Sequence, residues 1–90
     1  MATDQEIERL LDACETQQHC FWNKELIVSY RLPCGFTISG RAAIVDPDNF
    51  SMETGQQIAR GKAKQQLWLL EAYVEQLELA GYIQVQCAQR

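Results

Sequence analysis

This 90-residue chain has a single histidine, fewer cations than acids and no long apolar run. Catalysis needs a poised acid, base or nucleophile with an orienting partner. The only histidine, His19, sits directly beside Cys20, and adjacent side chains rarely face each other as a nucleophile pair must. The sequence therefore predicts a protein that is not an enzyme. Lys and Arg number 8 against 12 Asp and Glu, a formal net charge of -4. That balance argues against nonspecific phosphate binding, which needs clustered cations to release counterions. No apolar run approaches the roughly 18 residues of a membrane span. Met1-Ala2-Thr3-Asp4 runs straight into a charged amphipathic pattern, so the reading is no signal peptide, no membrane and a cytoplasmic location. No C-x2-C pair exists among Cys14, Cys20, Cys34 and Cys87. Zinc spacing is thus missing, no metal or cofactor is expected, and the thiols read as structural or surface groups in a reducing compartment. Internal repeats and low-complexity stretches are missing too.

What is present suits one modest domain. A 10.3 kDa chain buries about 64% of its extended surface on folding, enough for a single core. Thr3-Asp4-Gln5-Glu6 has the form of a capping box. Ile7, Leu10, Leu11 and Cys14 then recur at helical spacing, with Asp4, Glu8, Asp12 and Glu15 on the opposite side. This predicts an N-terminal helix within 1–19, ending between Thr16 and His19. From Glu25 the period becomes two: Leu26, Val28, Tyr30 and Leu32 alternate with Ile27, Ser29 and Arg31. Pro33-Cys34-Gly35 supplies a tight reversal, and Phe36, Ile38, Ala42 and Ile44 continue a second strand. The reading is a β-hairpin over 25–45, with Gly40 as the place where a helix packs closely or the strand bends.

Asp46-Pro47-Asp48-Asn49 is a turn cluster, and Ser51 is a good N-cap with Phe50 placed for a staple. A long helix over 51–80 follows, its stripe running Met52, Gly55, Ala59, Ala63, Leu67, Leu70, Val74 and Leu77. Gly55, Ala59 and Ala63 leave its first half thin enough to lie close on a sheet. Ala80-Gly81 ends it, and the alternation of Ile83, Val85 and Cys87 suggests a third strand over 82–88. The expected fold is α+β, in the order α-β-β-α, with the hairpin packed on one long helix. Such a helix is about 45 Å long, more than a compact domain of this size is wide. Its Leu67 to Leu77 face needs a cover, either the first helix or a second copy of the chain.

Asp46 and Asp48 are explained by turn formation rather than acid/base work. Arg60, Lys62 and Lys64 form the one basic cluster and, with Arg41, the candidate nucleic-acid contacts; without interleaved aromatics they read first as a solvated face. Glu71, Glu75 and Glu78, together with Glu8, Asp12 and Glu15, present the candidate negative surface for a basic partner. Trp68 and Tyr73 read as core before binding platform.

The block Gly35-Phe36-Thr37-Ile38-Ser39-Gly40, Ala43-Ile44-Val45-Asp46-Pro47, Asn49-Phe50, Gly55, Ile58-Ala59, Ala63, Leu67-Trp68, Glu71 and Tyr73 resembles a family of small proteins of tailed phages and prophages. That family is named after coliphage and Shigella phage gene products. Its pattern often has an aromatic and an acidic residue after Ile-Ala, and a Pro and a Gly in the Leu-Trp segment. Here those places hold Arg60-Gly61, Leu69 and Ala72, which favours an unbroken helix with a more basic face. The resemblance implies origin more than activity. Small acidic phage proteins without a catalytic constellation commonly bind and block a host protein, the anti-CRISPR class included. The expectation is a phage or prophage accessory protein in the bacterial host cytosol that inhibits a host or defence complex such as a CRISPR-Cas effector, with homodimerisation as an accompanying expectation. The alternative is a nucleic-acid-associated or replication accessory factor using Arg41, Arg60, Lys62 and Lys64.

Overall fold

The structure, a computed structural model, describes residues 3–44, 46, 48 and 51–83. The elements are α1 (Asp4–Asp12), β1 (Glu15–Phe21), β2 (Glu25–Arg31), β3 (Thr37–Ala43) and α2 (Met52–Leu79). The strands form one antiparallel sheet in the order β1-β2-β3. This is the expected α+β class, with one more strand before α2 than the sequence suggested.

Local chemistry starts and stops the helices. The Thr3 hydroxyl accepts from the Glu6 amide at 3.2 Å, and the Ser51 hydroxyl accepts from the Thr54 amide at 3.3 Å, each satisfying a first-turn donor. At the far end of α2, Gly81 takes φ 83°. Its amide donates to the Glu78 carbonyl and the Tyr82 amide to the Leu77 carbonyl, which is the paired closure of a Schellman motif. The Asp48 amide donates to the Asp46 carboxylate at 3.0 Å, the Asx-type bond that makes this aspartate a turn residue.

One core lies between the sheet and the helices. Leu26, Val28, Tyr30, Ile38 and Ala42 face inward from β2 and β3, and Ala59, Ala63 and Leu67 meet them from α2. Ile7 and Leu11 of α1 close the side. Gly40 explains how close the layers come: a Cβ built there would stand 1.9 Å from the Ala59 carbonyl oxygen. The close-approach reading of Gly40 holds, and the thin Gly55-Ala59-Ala63 stripe is buried as expected.

Two expectations are corrected. The N-terminal helix does not fill 1–19: it ends at Asp12, and residues 15–21 are strand β1, so the order is α-β-β-β-α. β1 is an edge strand whose inward positions Thr16, Gln18 and Cys20 pair with Tyr30, Val28 and Leu26. The helices cover those β2 partners far better than β1 itself, so its inner face needs no apolar side chains, and Gln18 bonds to Gln56 of α2 instead. The turn into β2 runs through Trp22 and Asn23, both at φ 53°, closed by the Lys24 amide on the Phe21 carbonyl at 2.9 Å. The second correction concerns the third strand, which is supplied by β1. Tyr82 and Ile83 are not in a strand, and the remainder of the expected 82–88 strand lies outside the described residues, as do Phe50 and its staple.

Candidate interaction surface

At 100° per residue, Arg60, Lys64, Glu71, Glu75 and Glu78 of α2 fall within an arc of about 60°. On this side the helix divides by charge. Its first half meets α1, which runs antiparallel to it. Arg60 reaches Glu8 and Asp12, each at 2.9 Å, and its guanidinium also donates to the Glu8 carbonyl oxygen. Lys64 reaches Asp4 at 2.6 Å and Glu8 at 3.4 Å. Burial works against the charge on Arg60, but hydrogen bonds to Glu8 and Asp12 outweigh it and hold the group above its ordinary range. Lys64 is raised too, chiefly by its hydrogen bond to Asp4.

These pairs join two sets of residues that the sequence had assigned to different functions. Glu8 and Asp12, expected to contact a partner, and Arg60 and Lys64, expected to contact nucleic acid, are each other's counter-ions. Glu15 pairs with Arg31 at 2.6 Å, and Arg41 pairs with Glu25 across the outer face of the sheet. Lys62 is exposed without a carboxylate partner. Of the acidic candidates, the three on the second half of α2 remain together. Glu75 is half-buried and Glu78 exposed, and Glu71 already has an interaction within the chain.

Beside those acids the core stripe runs on past the core. Leu67 is buried, but Leu70, Val74 and Leu77, which continue the line of Ala59, Ala63 and Leu67, are only half-buried. On the far side Leu69, Tyr73 and Leu79 are 73%, 63% and 76% exposed. A helix that is apolar around most of its circumference is normally buried on more than one side. The 28 residues of α2 span about 42 Å, against about 23 Å for a seven-residue strand, so the second half outruns the sheet. The molecule measures 51 × 20 × 20 Å as a result.

Elsewhere the described surface offers little reactive chemistry. No three His, Cys, Asp or Glu side chains among the described residues converge on one point. Among the described residues, open depressions lie beside the Leu32–Gly35 turn and on the outer sheet face around His19, Phe21 and Ile27. Burial raises the Cys14 thiol above its ordinary value, outweighing the lowering by Arg60, and the thiol donates to the Leu10 carbonyl. His19 lies in β1 and stacks edge-on against Phe21 at 4.4 Å. Trp22 at the hairpin tip, 82% exposed in a left-handed backbone, escaped the sequence reading. Its signal, a lone Trp-Asn between two strands, is legible only once β1 is known.

A family model described as the phage protein (N4 Gp49/phage Sf6 gene 66) family matches residues 3–79. No curated protein and no solved structure matches the chain.

Proposed function

The chain belongs to the phage protein (N4 Gp49/phage Sf6 gene 66) family, and from that membership we propose that it is a non-enzymatic phage or prophage accessory protein that binds and inhibits a bacterial host or defence protein complex, in the first place a CRISPR-Cas effector. It works by stoichiometric occupation of a protein surface in the host cytosol, without a cofactor. One observation carries this reading: along the second half of α2 the half-buried Leu70, Val74 and Leu77 run beside an acidic stripe, and the chain has no Lys or Arg from 65 to 89. An apolar line left partly open and edged by charge of one sign suits a protein-binding face. The nucleic-acid alternative has less to stand on, since three of its four cations, Arg41, Arg60 and Lys64, are already neutralised by carboxylates.

The test is expression of the protein in bacteria that restrict phage through a CRISPR-Cas system, with recovery of the tagged protein and mass spectrometry of what it carries. Restored phage growth with a defence subunit bound in stoichiometric amount supports the reading. Full restriction with no host protein recovered contradicts it. Tight, steeply salt-dependent binding to naked DNA would move the assignment to the alternative.

A further inference from the structure

We propose, resting on that reading, that the partner element is a basic amphipathic helix that lies along the second half of α2 as α1 lies along the first. The first half of α2 shows how this side of the helix is read. α1 buries Ile7 and Leu11 and sets Asp4, Glu8 and Asp12, spaced i, i+4, i+8, against Arg60 and Lys64, spaced i, i+4. Beyond Lys64 the same arc carries Glu71, Glu75 and Glu78, while the neighbouring apolar line continues as Leu70, Val74 and Leu77. The surface is the α1 dock with its charge inverted. Its complement is a helix with an apolar stripe flanked by Lys or Arg at i, i+4 spacing, with cations facing Glu75 and Glu78.

A second copy of the chain does not supply that complement. Its α1 is acidic on the docking side, and its Arg31, Arg41, Arg60 and Lys64 are paired internally. The described cations without a carboxylate partner, Arg9, Lys24 and Lys62, are scattered over α1, the β1–β2 turn and α2. Two copies of the second half laid side by side would bring acid towards acid.

The experiment titrates the full chain with three synthetic peptides of about 18 residues: an amphipathic helix with Leu at its apolar positions and Lys flanking them, the same peptide with Glu in place of Lys, and a scrambled Lys peptide of equal charge. Binding is read by calorimetry and by amide shift mapping. The amphipathic Lys peptide is expected to bind at least roughly tenfold more tightly than either control, with shifts confined to residues 68–79. Glu75→Lys/Glu78→Lys should weaken it by a similar factor while leaving the thermal melt unchanged. Equal affinity for all three peptides, or shifts outside that segment, overturns the proposal. So does a free protein of twice 10.3 kDa that monomerises on Val74→Asp, because the occupant is then a second copy. Failure here is distinct from failure of the binding reading. A host complex captured equally by wild type and Glu75→Lys/Glu78→Lys removes the helix dock and leaves the inhibitor standing. A wild-type protein that captures nothing removes the inhibitor itself.

Discussion

A methyl group at Gly40 has no room, because the Ala59 carbonyl already occupies its place. Gly40→Ala must lift α2 off β3 or bend the strand. We expect a loss of about 3 kcal/mol, at the upper end of overpacking, and a melting temperature lower by roughly 15 °C. An unchanged melt would mean that the layers can separate freely. Trp22 shows the opposite strain. A bulky residue in the left-handed region costs about 1–2 kcal/mol, and at 82% exposure its ring returns little from packing. Trp22→Asn, which suits that backbone, should raise the melting temperature by roughly 4–8 °C. A fall would show that ring contacts at the hairpin tip outweigh the strain. Gly40 was readable in the sequence because a glycine amid alternating Ile38 and Ala42 has few other uses. The strain at Trp22 was not, since nothing marked 15–21 as a strand.

Between elements, the α1–α2 clamp decides which charges are left for function. Arg60→Ala removes pairs to Glu8 and Asp12 that are partly exposed, so the expected loss is about 1 kcal/mol, smaller in high salt. Equal melts at low and high salt for both proteins would contradict an ionic clamp. The sign of the pH dependence follows from Lys64, whose value is raised. A base stabilised in its charged form by folding contributes fully below its ordinary 10.5 and loses that contribution as pH rises through its folded value. The stability difference between wild type and Lys64→Met should therefore stay constant from about pH 6 to 9 and shrink only in alkali. A difference that collapses near neutrality would assign the effect to another group. The helices and the β2–β3 hairpin were legible because each buries one clean stripe. β1 was not, because an edge strand with Thr16 and Gln18 on its inner side carries neither period. The clamp escaped for a related reason: the sequence shows each charge stripe but not that α1 turns its acids onto Arg60 and Lys64.

At the scale of the whole molecule, a small core is carried on a helix too long for it. The Cα radius of gyration is 15.4 Å, against about 12 Å for a compact 90-residue chain. The excess length carries the apolar and acidic side chains that the core does not use. The sequence predicts a helix longer than the domain, which the structure has, and offers an acidic partner face as an expectation. It spreads that face over six residues, of which the fold keeps Glu71, Glu75 and Glu78 together and assigns Glu8, Asp12 and Glu15 to internal pairs. The most direct test of the account is affinity capture from a defence-positive bacterial lysate, with wild type and Glu75→Lys/Glu78→Lys run side by side and matched for thermal stability. The account predicts a host protein complex recovered in stoichiometric amount with the wild type and lost with the variant. Equal recovery by both proteins, or no recovery by either, would contradict it.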